Sequence, residues 1–428
     1  MIARARSGWT RKPLGEVADV ISGYAFKSSE FGDSGIPVIK IKNIRVGLVD
    51  LTGADRVDEK FLSIPERYHV RAGDILISLT GSHISQPNSV VGRVARHSAG
   101  LPDCLLNQRA GKVIIRDRNA CDLSFLFYAL SESETVRAIA MKAHGAANQA
   151  NVSPTQVESV EIPLPPPPVQ RRISGILSAH DELIANCQRR IQLLEAMARA
   201  LYREWFVHFR FPGHEKLPRV ASSLGDIPQG WAVSSVRELA ELVSRGPSLS
   251  YVDDNGFPVL NQRCVRGGEI ELQAIQYAAP LSERDSALYL RLYDVLVNSM
   301  GVGTLGRVSR NLSVTEPMII HNCITVVRAK DVEATAALLY YRISDCQAHF
   351  DSLGVGSTGQ TSLRIEVIED VLVALPPRIL LEGFAKSVQP MWEQMGNLKR
   401  RLQNLRRTRD LLLPRLLSGQ VELKTQAA

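Results

Sequence analysis

Apolar and small residues recur in alternating steps of four and three along two long stretches of the chain, residues 173–205 and 384–416. A spacing of about 3.5 residues is typical of a coiled-coil seam and predicts two long helices, although ordinary core helices are an alternative interpretation. The first helix is expected over residues 169–206. In the second, Pro390 removes an intrahelical hydrogen bond, so a kink or a fresh start is expected there. The predicted spacer seam comprises Ile173, Leu177, Ile184, Ile191, Leu194, Leu201, Trp205, Val388, Met395, Leu398, Leu402, Leu405, Leu412 and Leu416.

Outside the long helices, the chain shows short runs of β-forming residues followed by one helical stretch. The runs lie at residues 36–41, 74–79, 90–95 and 112–115, and the helical stretch at 122–141. A second helical stretch is expected at residues 332–344. This order predicts α+β domains with a mixed, strongly curved sheet.

Half of the chain repeats the other half. The corresponding positions include Trp9 with Trp231, residues 74–77 with 294–297, Gly92 with Gly306, Asn107 with Asn322, and residues 165–166 with 376–377. Only two long units exist, so the pattern indicates a duplicated fold with small loop insertions rather than a solenoid.

The length of the predicted helices constrains how the two copies are connected. A helix over residues 169–206 is roughly 57 Å long, and a linker over residues 212–230 could recross that distance only if it were almost fully extended, at about 3.3 Å per residue. The sequence therefore predicts two pseudo-twofold-related α+β domains joined by two long antiparallel coiled-coil helices. The expected segments are domain 1 (1–168), the central spacer helix (169–211), a linker (212–229), domain 2 (230–377), the distal spacer helix (378–418) and a tail (419–428).

Composition narrows the class of protein. The chain has 428 residues, 45% of them hydrophobic, and a formal net charge of +7, a modest basic excess that suits a polyanionic partner. Its six cysteines form no CxxC pair, which argues against a zinc site and against a disulfide framework. No apolar run approaches about 18 residues and no signal core follows the N-terminus. We expect a soluble protein of the reducing cytoplasm, without metal.

One motif suggests a dinucleotide enzyme. Gly301, Gly303 and Gly306 have the G-x-G-x-x-G spacing that cradles a pyrophosphate, which requires a helix directly afterwards. Residues 307–315 instead alternate and include β-branched residues, and the first copy has a longer loop without this spacing. A glycine-rich β-loop is therefore expected, with the dinucleotide enzyme as the alternative.

The sequence also lacks the usual catalytic signatures. It contains no phosphate-binding loop, no H-E-x-x-H and no Asn/Asp-Pro-Pro-Tyr/Phe element. Paired carboxylates such as Asp58 and Glu59 lie in polar, turn-like surroundings. We expect no catalytic residues in this chain.

The loops between the predicted strands carry polar and basic residues suited to DNA. Arginine, asparagine and glutamine can form paired hydrogen bonds with base edges, whereas lysine and serine more often contact phosphates. The DNA-binding candidates are Lys40, Lys42, Asn43, Ser82, His83, Asn88, Arg93, Asn107, Gln108, Arg109 and Asn148 in the first copy, and Asn261, Gln262, Arg263, Asn298, Ser299, Arg307, His321, Asn322, Thr358 and Gln360 in the second.

Several segments together resemble the DNA-specificity subunit of type I restriction-modification systems, across nearly the whole chain. "GWTRKPLGEVADVISGYAFKSSEF" and "IPQGWAVSSVRELAELV" resemble the openings of that family's two target-recognition domains. "GVGTLGRV" is similar to its glycine loop, "IPLPPPPVQRRISGILSAHDELI" to its central helix and "LRRTRDLLLPRLLSGQVEL" to its C-terminal helix. "ALPPRILLEGFAKSVQP" departs from the more usual proline-plus-glutamine version of the second helix start.

The resemblance implies a division of labour. Each domain would recognise one half of a split, asymmetric double-stranded DNA site, and the coiled coil would fix the unread gap. The helices would dock two methyltransferase subunits, which carry S-adenosylmethionine, and motor-nuclease subunits that use ATP with Mg²⁺. The chain itself would bind no cofactor, and the complex would be a site-specific endonuclease and adenine methyltransferase. A coiled-coil scaffold that binds only proteins is the remaining alternative.

Overall fold

The computed structural model describes residues 9–82, 91–146, 149–253, 256–279, 287–301, 303–353 and 362–421. The chain forms two compact units. Unit 1 comprises Met1–Ile184 and Leu405–Ala428, and unit 2 comprises Ala185–Asn404. The folded part of each unit outside the two long helices is called its body below.

Unit 1 is a β-rich body with three short helices. Its strands are β1 (Thr10–Pro13), β2 (Ala18–Ser22), β3 (Phe31–Gly32), β4 (Ile36–Ile39), β5 (Gly47–Leu48), β6 (Arg56–Val57), β7 (His69–Val70), β8 (Ile75–Ser78), β9 (Thr80–Gly81), β10 (Val94–Arg96), β11 (Cys104–Leu106), β12 (Ala110–Ile115), β13 (His144–Ala146), β14 (Gln149–Asn151) and β15 (Glu161–Leu164). Its helices are α1 (Leu123–Ser131), α2 (Ser133–Met141) and α3 (Pro154–Glu158), followed by the start of α4 (Pro167–Tyr202).

Two five-stranded sheets dominate unit 1, in the orders β2-β12-β8-β10-β5 and β3-β6-β4-β11-β7. The pairs β10 with β5 and β11 with β4 are parallel and the others antiparallel, so the mixed sheet expected from the sequence is present. All of β8 is buried, and α1 packs over the first sheet with Phe125 in the core. The expected single helix over 122–141 is two helices, because Glu132 adopts an extended backbone and caps α2.

Unit 2 repeats this plan. Its strands are β16 (Arg219–Ser222), β17 (Gly225–Pro228), β18 (Ala232–Ser235), β19 (Ala240–Arg245), β20 (Tyr251–Val252), β21 (Phe257–Leu260), β22 (Val265–Arg266), β23 (Glu269–Ile270), β24 (Gln276–Ala278), β25 (Val295–Asn298), β26 (Val308–Arg310), β27 (Ile319–Ile320), β28 (Ile324–Ala329) and β29 (Leu372–Leu375). Its helices are α5 (Val236–Leu239), α6 (Val332–Asp345), α7 (Gln347–Ser352), α8 (Ile365–Glu369) and most of α9 (Arg378–Leu417).

The sheets of the two units correspond strand by strand. The order β19-β28-β25-β26 in unit 2 matches β2-β12-β8-β10 in unit 1, and the parallel pair β21 with β27 matches β4 with β11. The duplication is therefore present in the sheet topology as well as in the amino-acid sequence.

The repeated hydrogen bonds correct one detail of the sequence alignment. The N–H of Asn107 donates to the Ile39 carbonyl at 3.1 Å, and its counterpart is the N–H of His321, which donates to the Leu260 carbonyl at 2.8 Å. Asn107 thus corresponds to His321, and Gln108 to Asn322. The match of Asn107 with Asn322 was wrong by one residue. Strand register is defined by backbone hydrogen bonds, and two identical residues in the sequence need not occupy the same register position.

The long helices are α4 and α9. Two prolines in the first turn of α4 suit a helix start, where the N–H groups have no intrahelical partner. A π-turn at Arg203–Val207 follows α4. The fresh start expected at Pro390 was wrong: α9 runs unbroken from 378 to 417, and Pro390 lies on its exposed side.

Segments of α4 and α9 pack together within each unit. In unit 1, Asp181 of α4 accepts a 3.0 Å hydrogen bond from Arg409 of α9, and Leu177 shares a core with Leu416. In unit 2, the ring of Trp205, just after α4, lies 5.9 Å from that of Phe384 near the start of α9. Every residue of the predicted seam is at least half-buried. The half-buried ones are Leu194, Leu201, Trp205, Leu405 and Leu412. Among the described residues no helix is both long and apolar enough to cross a membrane.

Candidate nucleic-acid interface

Each body brings two polar segments to the same edge of a sheet. In unit 1, residues 40–43 follow β4 and residues 107–109 follow β11. In unit 2, residues 261–263 follow β21 and residues 321–322 follow β27. Because β4 pairs in parallel with β11, and β21 with β27, the carboxyl ends of each pair meet. We call each meeting point the carboxyl edge of its unit.

Two lysines share one carboxylate at the carboxyl edge of unit 1. The ammonium groups of Lys40 and Lys42 lie 2.9 and 3.0 Å from Asp55, and the Lys40 ammonium also lies 3.5 Å from the centre of the Phe31 ring. The hydrogen bond from Lys40 lowers the pKa of Asp55, so this carboxyl stays ionised. Two positive charges against one negative charge leave a net positive patch, beside the exposed side chains of Gln108 and Arg109.

Two asparagines of this edge are used by the protein itself. Asn43 is 1% exposed: its amide donates to the Asp50 carbonyl at 2.9 Å, and its side-chain oxygen accepts from the N–H of Lys40 at 3.0 Å. Asn107 accepts from the N–H of Arg109 at 3.3 Å. Both shape the turns that present their neighbours, in the way asparagine commonly stabilises turns.

The carboxyl edge of unit 2 carries a different set of groups. The side chain of Arg263 is exposed, that of Gln262 is half-buried, and the amide of Asn322 donates to Ser248 at 2.6 Å. The ring of His321 stacks on that of Tyr251 with centres 5.2 Å apart. Burial lowers the pKa of His321, so its imidazole is neutral at pH 7. Sequence reasoning missed Tyr251, whose only signal was a tyrosine in a polar run.

Three further DNA-binding candidates of unit 2 have side chains that are buried in the body. The Asn261 amide donates to the Ala274 carbonyl at 2.9 Å, and that of Asn298 donates to the Gln262 carbonyl at 3.0 Å. The hydroxyl of Ser299 lies 2.6 Å from that of Thr325. These hydrogen bonds stabilise the conformation of the carboxyl edge. As DNA contacts they stay predictions.

The glycine-rich loops are tight turns. Gly92 and Gly306 have φ values of +77° and +72°, and their N–H groups donate to the carbonyls of Ser78 and Asn298 at 2.9 and 2.8 Å. The strand β26 follows Gly306, and no helix follows it directly. The expected glycine-rich β-loop is therefore confirmed.

The arginines after these glycines fold back onto nearby carbonyls. Arg93 donates to Ile44 at 3.2 Å and Arg307 to Gly303 at 2.8 Å. Arg45, which the sequence reasoning missed, approaches Arg93. Burial, with a smaller contribution from the charge of Arg45, lowers the pKa of Arg93. Ser82 is half-buried just after β9. His83, Asn88, Asn148, Thr358 and Gln360 lie outside the described residues.

The described residues offer no cluster of three or more histidine, cysteine or carboxylate groups able to hold a metal. Burial raises the pKa of Cys104 and of Cys121 to about 12, so these thiols are protonated at pH 7 and are poor nucleophiles. The exposed groups that the structure describes at the two carboxyl edges are hydrogen-bonding and charged side chains, together with Tyr251.

Comparison with known proteins shows which proteins this chain is similar to. Residues 6–196 match the family model of the type I restriction modification DNA specificity domain. The chain is 23% identical to the type I restriction enzyme MjaIX specificity subunit of Methanocaldococcus jannaschii, over 99% of this chain and 96% of that protein. It is 22% identical to the MjaVIII specificity subunit of the same organism, over 86% and 84%. Over nearly its whole length, this chain is therefore similar to type I restriction-modification specificity subunits.

The fold of this chain is shared with a solved structure. The S subunit of a type I restriction-modification system from M. genitalium superposes with a TM-score of 0.61 at 15% identity, over 99% of both chains. Specificity subunits of type I systems are non-catalytic, and the nuclease and methyltransferase activities reside on other subunits.

Proposed function

We propose that this chain is the specificity subunit of a type I restriction-modification system, that it recognises a bipartite, asymmetric DNA sequence and that each body recognises one half of it. The observation that carries the proposal is that two copies of one fold present different exposed groups at the same edge. Unit 1 offers Lys42, Gln108 and Arg109, whereas unit 2 offers Arg263 and Tyr251. Two different half-sites follow from two different edges.

The exposed groups suit direct recognition of bases. Arginine can donate two parallel hydrogen bonds to guanine, and glutamine can pair with adenine in the major groove, while lysine contacts phosphates. Arg109, Gln108 and Arg263 are therefore the favoured base-contacting side chains, and Lys40 and Lys42 the favoured phosphate contacts. The remaining candidates would act by holding these segments in place.

The long helices would set the distance between the half-sites. The packing of α4 segments against α9 segments in each unit supports an antiparallel coiled coil that joins two pseudo-twofold-related recognition domains. Two domains on one duplex can face the same side only at separations that follow the helical repeat of DNA. We further propose that the helices dock two methyltransferase subunits and the motor-nuclease subunits in the cytoplasm, and that S-adenosylmethionine, ATP and Mg²⁺ bind to those partners.

A domain exchange tests this function. Residues 35–160 are replaced by the matching segment of a relative with a known, different target, and methylated adenines are sequenced in cells that carry the complete system. One half of the methylated sequence should change and the other should stay. The matched control replaces residues 256–370, which should change only the other half.

Two results would contradict the proposal. If either exchange altered both halves, or neither, the units would not recognise DNA independently. If the wild-type complex methylated no bipartite sequence and shifted no duplex in a gel, the chain would be a protein-binding scaffold instead.

A further inference from the structure

One arginine joins the body of unit 2 to both long helices. Arg310, the last residue of β26, is 2% exposed, and its guanidinium forms an ion pair with Glu195 of α4. The guanidinium carbon lies 3.9 Å from the centre of the Tyr340 ring of α6 and 4.5 Å from the Trp392 ring of α9. A single cation thus contacts the body and both helices.

The Arg310 side of this ion pair is buried, whereas the Glu195 side chain is partly exposed and also lies 3.7 Å from Arg199. Removing two charges from water costs about as much as their attraction returns, whereas separating a buried pair leaves an uncompensated charge and is strongly unfavourable. Stacking on Tyr340 and Trp392 adds cation–π attraction that falls off with displacement. The body can therefore slide along α4 only by breaking the pair of Arg310 with Glu195.

A close backbone contact restrains the same junction. A Cβ atom on Gly396, in the interior of α9, would lie 2.2 Å from the carbonyl oxygen of Leu312, two residues after Arg310. Glycine inside a helix is unfavourable by about 1 kcal/mol relative to alanine. The close contact between the α9 backbone and the Leu312 carbonyl oxygen explains why glycine is found at this position. One turn on either side, Trp392 donates to Tyr341 at 3.2 Å and Lys399 lies 3.5 Å from Glu269.

The matching junction in unit 1 is built differently. Arg96 ends β10 as Arg310 ends β26, but it is only half-buried and donates to Ser124 within the body at 3.3 Å. The residue that corresponds to Trp392 is Asp181, which accepts from Tyr128 at 2.6 Å. At the position that corresponds to Gly396, α4 has the exposed Ala185, which directly follows the last α4 residue of unit 1. The ion pair of Arg310 and the glycine contact therefore have no counterpart at Arg96, Asp181 or Ala185.

We propose that Arg310 and Glu195 are positioning residues that fix where the body of unit 2 sits along α4 and α9, and thereby fix the number of unread base pairs. This inference rests on the proposed function. It assigns the gap to a defined junction as well as to helix length. Arg310 and Glu195 touch no DNA in this role, so they should affect spacing and leave the half-site sequences unchanged.

The test measures the gap directly. Complete systems carrying wild-type, E195Q, R310K or G396A subunits are expressed in cells, and methylated adenines are sequenced. The wild type should methylate only sites whose half-sites are separated by one fixed number of base pairs. In the variants, methylation at sites whose gap is one base pair longer or shorter should rise roughly tenfold relative to wild type, with both half-sites unchanged.

A second buried ion pair of unit 2 provides the matched control. Arg328 binds Asp294 through two 2.8 Å hydrogen bonds, and its remaining bonds run to Ala287 and Tyr289 of the body. D294N should lower the thermal unfolding temperature as much as E195Q does, yet keep the single gap.

Each result has a defined meaning. A single unchanged gap in E195Q and G396A would overturn the inference and leave the proposed function intact. An equal broadening in D294N would also overturn it, because general loosening would then be the cause. If R310K fails to accumulate, E195Q and G396A decide the question. A wild type with no bipartite motif would refute the proposed function, and the inference with it.

Discussion

At the scale of single residues, the glycine motif shows how backbone conformation decides what a pattern means. The spacing of Gly301, Gly303 and Gly306 matches a dinucleotide cradle, and only the residues that follow distinguish a cradle from a turn. Gly306 has φ +72°, and a Cβ atom there would lie 2.8 Å from the Cβ of Phe350 and 2.9 Å from the carbonyl oxygen of Gln347. The glycine is required by its conformation and by the nearby helix, and neither reason involves a phosphate.

We therefore predict unequal costs for two glycine substitutions. G306A combines left-handed strain with a steric clash and should lower the free energy of unfolding by about 2 to 4 kcal/mol. G303A has φ +70° but nothing within 4 Å of the added carbon, so only the strain remains, about 1 kcal/mol. Urea unfolding of both variants measures the difference. Equal losses would mean that the contact with Phe350 and Gln347 is unimportant.

A buried histidine predicts acid sensitivity. His97 is 1% exposed, and burial, only partly offset by the charge of Asp74, lowers its pKa below the ordinary value of about 6.5. The unfolded chain then binds a proton that the folded chain resists. The contribution of His97 to the free energy of unfolding is therefore fully present above about pH 6.5. It is lost as the pH falls towards the lowered pKa, by up to about 1.4 kcal/mol per pH unit.

The comparison is made by thermal unfolding at pH 7.5 and 5.5. The unfolding temperature of the wild type should drop further over this interval than that of H97L, which has no titrating group at this position. Parallel declines in the two proteins would show that His97 does not set the acid response.

The DNA candidates show the limit of residue-level reasoning. Side-chain chemistry alone could not separate Arg109 and Arg263, which are exposed, from Asn43, Asn261 and Asn298, which are buried and hydrogen-bonded to backbone carbonyls. Both groups lie in polar stretches between strands. Exposure depends on which strands are neighbours, and that is a property of the whole sheet.

At the scale of elements, the long helices were the most predictable feature. A helix expected over residues 169–206 is observed as α4, Pro167–Tyr202, followed by a π-turn, because periodicity and flanking prolines are local signals. The local argument was wrong in one respect at Pro390, where no new helix begins. That residue lies on the exposed side of α9, where the carbonyl left without an N–H partner can bind water, so the helix continues.

Helix length yields a prediction about the unread gap. Four residues inserted after Ile184 in α4 and after Asn404 in α9, at the boundaries between the units, would add about 6 Å and leave a rotation of about 40°. One base pair turns DNA by a similar angle, so the gap should grow by one or two base pairs with the half-sites unchanged.

The control inserts two residues at the same places. That change rotates the helix by about 200°, which would turn the two bodies to opposite faces of the duplex and abolish methylation. Sequencing of methylated adenines gives the gap in each case. An unchanged gap after the four-residue insertion would show that helix length does not set the spacing.

At the scale of the whole molecule, the duplication gives both units the same order of strands. The repeated tryptophans, glycines and prolines indicated two copies, and the sheet orders of the two units repeat accordingly. The copies differ at their carboxyl edges: Lys40 and Lys42 share Asp55 in unit 1, whereas Tyr251 stacks on His321 in unit 2. A shared scaffold with different edges is the arrangement expected of a protein that recognises two unlike half-sites.

The sequence by itself determined the duplicated plan, the two long helices and the absence of familiar catalytic motifs, because each depends on periodicity, repetition or spacing within a continuous stretch of chain. The tertiary structure decided the rest. Strand register corrected the partner of Asn107, burial separated structural asparagines from exposed arginines, and packing brought Glu195, Arg310 and Trp392 together from distant parts of the chain. These outcomes depend on long-range contacts, and no local pattern encodes which distant residues become neighbours.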